Sequence, residues 1–123
     1  MSDLCKVLIV DDEYIMRQGI KHLVNWDKEG FLIVGEATNG KEALIMVEEL
    51  KPHIVVMDVV MPVMDGVELT KEVHEKYPDI KIIVLSGFDD FSYAQQAIQY
   101  NIVSYMLKPI SAAELEEELR NIK

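Results

Sequence analysis

Five short runs rich in β-branched residues punctuate this chain: KVLIV at 6–10, LIVGEA at 32–37, IVVM at 54–57, IIVL at 82–85 and VSYML at 103–107. The stretches between them have a different rhythm. Apolar residues there recur at helical spacing, as in Ala43, Leu44, Met46, Val47 and Leu50, and so gather on one face of a helix. This alternation is the strongest constraint on the fold. Parallel strands need a crossover between them, usually a helix, and helices on both faces bury the sheet on both sides. The chain is therefore expected to be α/β, with a parallel sheet and right-handed crossovers that leave few topologies. Helix starts are marked as well. Asp65 heads DGVELTKEV with Glu68 three residues on, and Ser111 heads SAAELEEELR with Glu114 three residues on; both are capping signatures.

Composition narrows the functional classes. At 123 residues one domain can bury a core without disulfide or metal staples. Half the residues are apolar and charges of both signs are mixed, which argues against a disordered or fibrous chain. No apolar run approaches the length of a membrane span. MSDLCKVL lacks the basic region and long apolar stretch of a signal peptide. A cytoplasmic protein with no membrane partner is expected, and the lone Cys5, inside an apolar run, reads as a buried small hydrophobe. The formal net charge is −10 and Lys41, Lys51, Lys71 and Lys81 are scattered, so no nucleic-acid contact by this chain itself is expected. His22, His53 and His74 lack metal-ligand spacing, and NGKEAL reads as a turn and helix start rather than a phosphate-binding loop.

The chemistry lies where the apolar runs stop. Asp11 and Asp12 follow CKVLIV, Asp58 follows HIVVM, Ser86 follows KIIVL and Lys108 follows IVSYML. If those runs are neighbouring parallel strands, their carboxyl ends lie along one edge, where open α/β sheets bind ligands. Clustered carboxylates repel unless a cation joins them, and an all-oxygen donor set suits Mg²⁺. Asp58 could attack phosphorus as a carboxylate nucleophile, while Ser86 and Lys108 would meet the phosphoryl oxygens. Each residue alone has a plainer reading as helix cap, turn residue or loop punctuation. Those readings explain the residues one at a time and not their joint occurrence.

The succession LIVDDE, VVMDVVMPVMDG, VLSG and YMLKP resembles the receiver domain of two-component response regulators, over essentially the whole chain. The resemblance implies a flavodoxin-like, doubly wound (βα)5 fold with sheet order 2-1-3-4-5. It implies Asp58 as phosphoacceptor, with Mg²⁺ held by Asp11, Asp12, Asp58 and the backbone carbonyl of Val60. Ser86 and Lys108 take the places of the family's hydroxyl and lysine, and the Lys108–Pro109 peptide is expected to be cis. A sensor histidine kinase would be the phosphodonor partner, and the chain would catalyse only its own phosphorylation and dephosphorylation. Ser86 and Tyr105 would form the switch that remodels the face made by the fourth helix, fifth strand and fifth helix. That face is also where a homodimer could form, with Tyr93, Ala97 and Tyr100 as candidates. Finer likeness in NWDKEGFLIVGEATNGKEAL and SGFDDFSYAQQAIQYNIVSYMLKPI points to the YesN-type subset, whose receiver precedes an AraC-like DNA-binding domain. Residues 1–123 would then be the N-terminal receiver of a longer transcription regulator. Two departures stand out. Asn101 replaces a frequent Gly, and Val60 sets an apolar side chain where many relatives carry a polar one.

Three other readings remain. A phosphatase of the haloacid dehalogenase type would want an acid two residues after its nucleophile and then Gly/Thr turn residues; here Glu13 and Tyr14 follow Asp11 and Asp12. A docking module independent of phosphate would need none of the five polar residues. A standalone phosphorelay receiver would need them all. Tyr105 is equally readable as an ordinary half-buried strand aromatic.

Overall fold

A computed structural model turns the sequence rhythm into five parallel strands: β1 (Cys5–Val10), β2 (Phe31–Ala37), β3 (Ile54–Asp58), β4 (Lys81–Ser86) and β5 (Ser104–Leu107), in the order β2-β1-β3-β4-β5. Helices α1 (Tyr14–Leu23), α2 (Gly40–Leu50) and α3 (Gly66–Lys76), and a C-terminal helix, Ala112–Ile122, accompany them. A single helical turn, Trp26–Glu29, precedes β2. The structure describes residues 4–58, 66–87, 102, 104–107 and 110–122. The expectations for Val60, the Asp65 cap, Tyr93, Ala97, Tyr100, Asn101, Lys108 and the Lys108–Pro109 peptide fall outside them.

Side chains alternate across the sheet as the strand period demands. On one face Leu8, Val10, Val55, Met57, Ile82 and Val84 pack with Ala43 and Val47 of α2 and Leu69 and Val73 of α3. On the other, Val7, Ile9, Ile54, Val56, Ile83 and Leu85 pack with Ile20 of α1, Trp26, and Leu115 and Leu119 of the C-terminal helix. The central strands are thus covered on both sides, which is why their runs are continuously apolar. Each fully buried aliphatic side chain contributes roughly 1.5–3 kcal/mol over its exposed state. Trp26 meets Phe31 edge-on, ring centroids 6.1 Å apart.

Local signals set the element ends. Asn39 caps α2, accepting the Glu42 amide at 2.8 Å, while Glu42 accepts the Thr38 amide at 2.9 Å. Ser111 Oγ accepts the Glu114 amide at 3.1 Å, as its capping signature predicts. Gly35 sits where the β1–β2 register shifts. A β-carbon there would lie 3.2 Å from Leu50 Cδ1, so glycine permits the close approach of α2. At the amino edge of the sheet, His53 Nδ1 accepts the Lys6 amide at 2.9 Å, a structural use that agrees with its lack of ligand spacing. One expectation needs correction: Cys5 is half-buried rather than buried, because it opens β1 at the edge where helix coverage ends.

Candidate functional site

Strand register assembles the carboxyl edge. Val10 of β1 pairs with Met57 of β3, so the next residue on each strand sets Asp11 beside Asp58. Asp58 in turn pairs with Leu85 of β4, and Ser86 pairs with Leu107 of β5. Residues from positions 11, 58 and 86, with the end of β5 beside them, therefore occupy one edge, as the strand-end pattern requires. Ser86 is placed as the last residue of β4 by its backbone alone.

Asp11 is fully buried and Asp58 is 6% exposed, while Asp12 is exposed. Asp11 continues the ladder of β1, its amide donating to the Ala37 carbonyl at 3.0 Å. Its Oδ1 accepts the Glu13 amide at 2.9 Å, which bends the chain from strand into α1. The turn brings Asp11, Asp12 and Glu13 together, with one carboxylate oxygen from each inside 4.8 Å of the others. Asp58 approaches from the neighbouring strand and is not part of that contiguous group. Glu13, which sequence reasoning did not weigh as a ligand, is a further candidate carboxylate beside Asp11 and Asp12, and the DDE run carried its signal. The donors are carboxylate oxygens throughout, a set matched to a hard divalent cation.

Behind this turn lies an ionic network that no local pattern announces. Arg17 of α1 donates through Nη1 to the Asp11 carbonyl at 2.8 Å and through Nε to Glu36 of β2 at 3.1 Å. Lys21 Nζ reaches the other Glu36 oxygen at 2.8 Å, and Gln18 Nε2 donates to Glu36 Oε1 at 3.3 Å. The Lys21 hydrogen bond, opposed by desolvation and aided by Arg17, holds the Glu36 carboxyl below its ordinary value.

Tyr105 is half-buried on β5 beside Val84, packed against the cluster that contains Met57. That position suits both readings offered for it. A separate concavity of about 560 Å³ runs along β5 and the C-terminal helix, lined by Glu114, Glu117 and Glu118; these carboxylates do not join the Asp11 group. Among the described residues, no helix is long and apolar enough to cross a membrane.

Comparison with known proteins gives this geometry a family. A family model described as the response regulator receiver domain matches residues 7–120. The transcriptional regulatory protein YesN of Bacillus subtilis (strain 168) is 41% identical over 117 residues, which is 95% of this chain and 32% of that protein. The transcriptional regulatory protein HptR of Staphylococcus aureus (strain NCTC 8325 / PS 47) is 38% identical over 111 residues, 90% of this chain and 43% of HptR. The chain thus spans well under half the length of either relative. Among solved structures, the receiver domain of AraT, a response regulator from Geobacillus stearothermophilus, aligns at TM-score 0.91 and 39% identity, over 97% of this chain and 92% of that one. A two-component transcriptional regulator AraC from Clostridium phytofermentans ISDg aligns at TM-score 0.87 and 34% identity, over 96% and 92% of the two chains. With the parallel sheet, its strand order and the acidic edge all in place, the chain belongs to the response regulator receiver domain family.

Proposed function

We propose that this receiver domain takes a phosphoryl group from the phosphohistidine of a sensor histidine kinase onto Asp58, in a Mg²⁺-dependent step. The observation that carries the reading is the placement of Asp58, 6% exposed, at the carboxyl end of β3 and one strand from Asp11. A carboxylate fixed at the end of a central strand enters the reaction with its orientation largely set, which lowers the entropic cost of attack. One Asp58 oxygen bonds to phosphorus as the phosphorus–nitrogen bond breaks, and the electron pair returns to the kinase imidazole. Asp11, Asp12, Asp58 and the Val60 carbonyl would hold Mg²⁺, which when bound offsets charge on the phosphoryl oxygens. The Ser86 hydroxyl would donate to one phosphoryl oxygen and the Lys108 ammonium would lie against another.

Phosphorylation would then act as a switch. Ser86 drawn toward the phosphoryl group would free space for Tyr105, biasing a pre-existing equilibrium toward the active arrangement of the fourth-helix, fifth-strand, fifth-helix face. The same face would serve a homodimer. The names of YesN and HptR, both transcriptional regulatory proteins, support a role in transcription regulation; on this reading the protein acts in the cytoplasm, and DNA would be contacted by a domain outside residues 1–123. Docking independent of phosphate explains none of the acidic edge, and a standalone relay receiver shares the chemistry but not the kinship with transcriptional regulators.

The test is intact mass after incubation with Mg²⁺ and acetyl phosphate. Wild type is expected to gain one phosphoryl group, and Asp58→Asn, or wild type with chelator, to gain none. A folded wild-type chain that stays unmodified would remove the reading in favour of docking.

A further inference from the structure

Arg17 joins the acidic turn to β2 through its side chain, which bonds in two directions. Its side chain is 11% exposed. Helical side chains lean toward the helix amino terminus, so a residue in the second turn of α1 reaches back over the bend that precedes the helix. The guanidinium fork is divided there. One nitrogen caps the Asp11 carbonyl at 2.8 Å, and another is fixed by Glu36 at 3.1 Å. Tyr14, the first residue of α1, lies under the same group, its ring centroid 5.6 Å from Cζ. Glu36 is in turn held by Lys21 and Gln18, so the anchor is itself braced.

We infer that Arg17 is a positioning residue for the cation site, holding the Asp11–Asp12 turn at the angle that lets its carboxylates share one ion. Two effects of Arg17 oppose each other. As a positive charge behind the carboxylates it disfavours an incoming dication. As a rigid fork on the Asp11 carbonyl it spares the turn the ordering that cation binding would otherwise demand. Outer partners that orient metal ligands commonly matter for affinity in this way. The fork geometry decides for positioning, because a planar guanidinium serves two acceptors at set angles and an ammonium does not. The inference rests on the proposed Mg²⁺ site at Asp11 and Asp12.

The experiment is a titration of the isotope-labelled 123-residue chain with MgCl₂, following the amide shifts of Asp11, Asp12 and Glu13. Wild type, Arg17→Lys and Arg17→Met are compared, each with its thermal melt in metal-free buffer. Both variants are expected to bind Mg²⁺ about tenfold more weakly than wild type, with Lys failing to rescue. Tighter binding by Arg17→Met beside a wild-type-like Arg17→Lys would overturn positioning in favour of simple charge. Lower melting temperatures with unchanged Mg²⁺ midpoints would overturn it in favour of a purely structural role. If Arg17→Met does not fold, Arg17→Lys decides alone, since it keeps the charge and loses the fork. A wild-type chain whose shifts do not move removes the Mg²⁺ site, and the inference falls with it.

Discussion

Glu36 stands on β2, yet the side chains bonded to it, Arg17, Gln18 and Lys21, all come from α1. An acid on an edge strand would ordinarily be a solvated side chain, worth little to stability. Here it is only 25% exposed and contacts two cations, one of them itself 11% exposed, so the pair resists solvent screening better than a surface bridge. The Lys21 hydrogen bond comes first among the causes that hold its carboxyl below the ordinary 4.5. The sign follows from linkage: a carboxylate with a lowered folded-state value stabilises the fold above its unfolded value, and the contribution disappears as pH falls through the folded one. Urea denaturation of wild type and Glu36→Gln should therefore differ by about 1 kcal/mol near neutrality. The gap should hold down to 4.5, the ordinary value, and close below it. A gap unchanged by acid would place the stabilisation in shape rather than charge. None of this was legible in sequence, where Glu36 looks like any polar residue in LIVGEA. By contrast Asp11, Asp12 and Asp58 were legible, because a charge that ends an apolar strand breaks the local pattern.

At the scale of elements, starts were easier to read than ends. Asn39, Ser111 and their partners three residues on are short-range hydrogen-bonding devices whose geometry needs nothing beyond the helix itself. The end of α2 is another matter. Lys51 closes it in the left-handed region at φ 48°, its amide donating to the Val47 carbonyl at 3.0 Å. Glycine is the usual occupant of such a position, and its absence hides the stop. A β-carbon in that conformation costs roughly 1–2 kcal/mol, partly offset by the lower chain entropy of a non-glycine unfolded state. Lys51→Gly is accordingly expected to raise unfolding free energy by about 0.5–1 kcal/mol, seen as a higher urea midpoint at constant slope. A lower midpoint would mean that the Lys51 side chain holds something its backbone does not reveal. The Trp26–Glu29 turn was missed for a different reason: four residues are too few to display a helical period.

For the molecule as a whole, the proposed cation site would link binding to folding, because Asp11 and Asp58 come together only when β1 and β3 are paired. A ligand at about a hundred times its dissociation constant adds roughly 2.7 kcal/mol to the folded state. Thermal melts of wild type should thus shift upward by several degrees in excess Mg²⁺ and return on chelation. Asp11→Asn should keep a cooperative melt, since an amide oxygen can still accept from Glu13, but should show no Mg²⁺ shift. An equal shift in both would put the cation elsewhere. What the sequence by itself determined was the alternation of strand and helix and the chemical identity of the strand-end residues, including the receiver likeness that the family match confirms. Those signals are written in consecutive residues, through side-chain period and capping chemistry, and need no knowledge of neighbours. Only the tertiary structure decided which further neighbours meet: that β2 offers Glu36 to α1, and that Arg17 reaches the carbonyl behind the acidic turn. A contact such as Arg17–Glu36 joins residues well apart in the chain, and it is selected by strand register and by packing on the faces of one sheet, which no local pattern encodes.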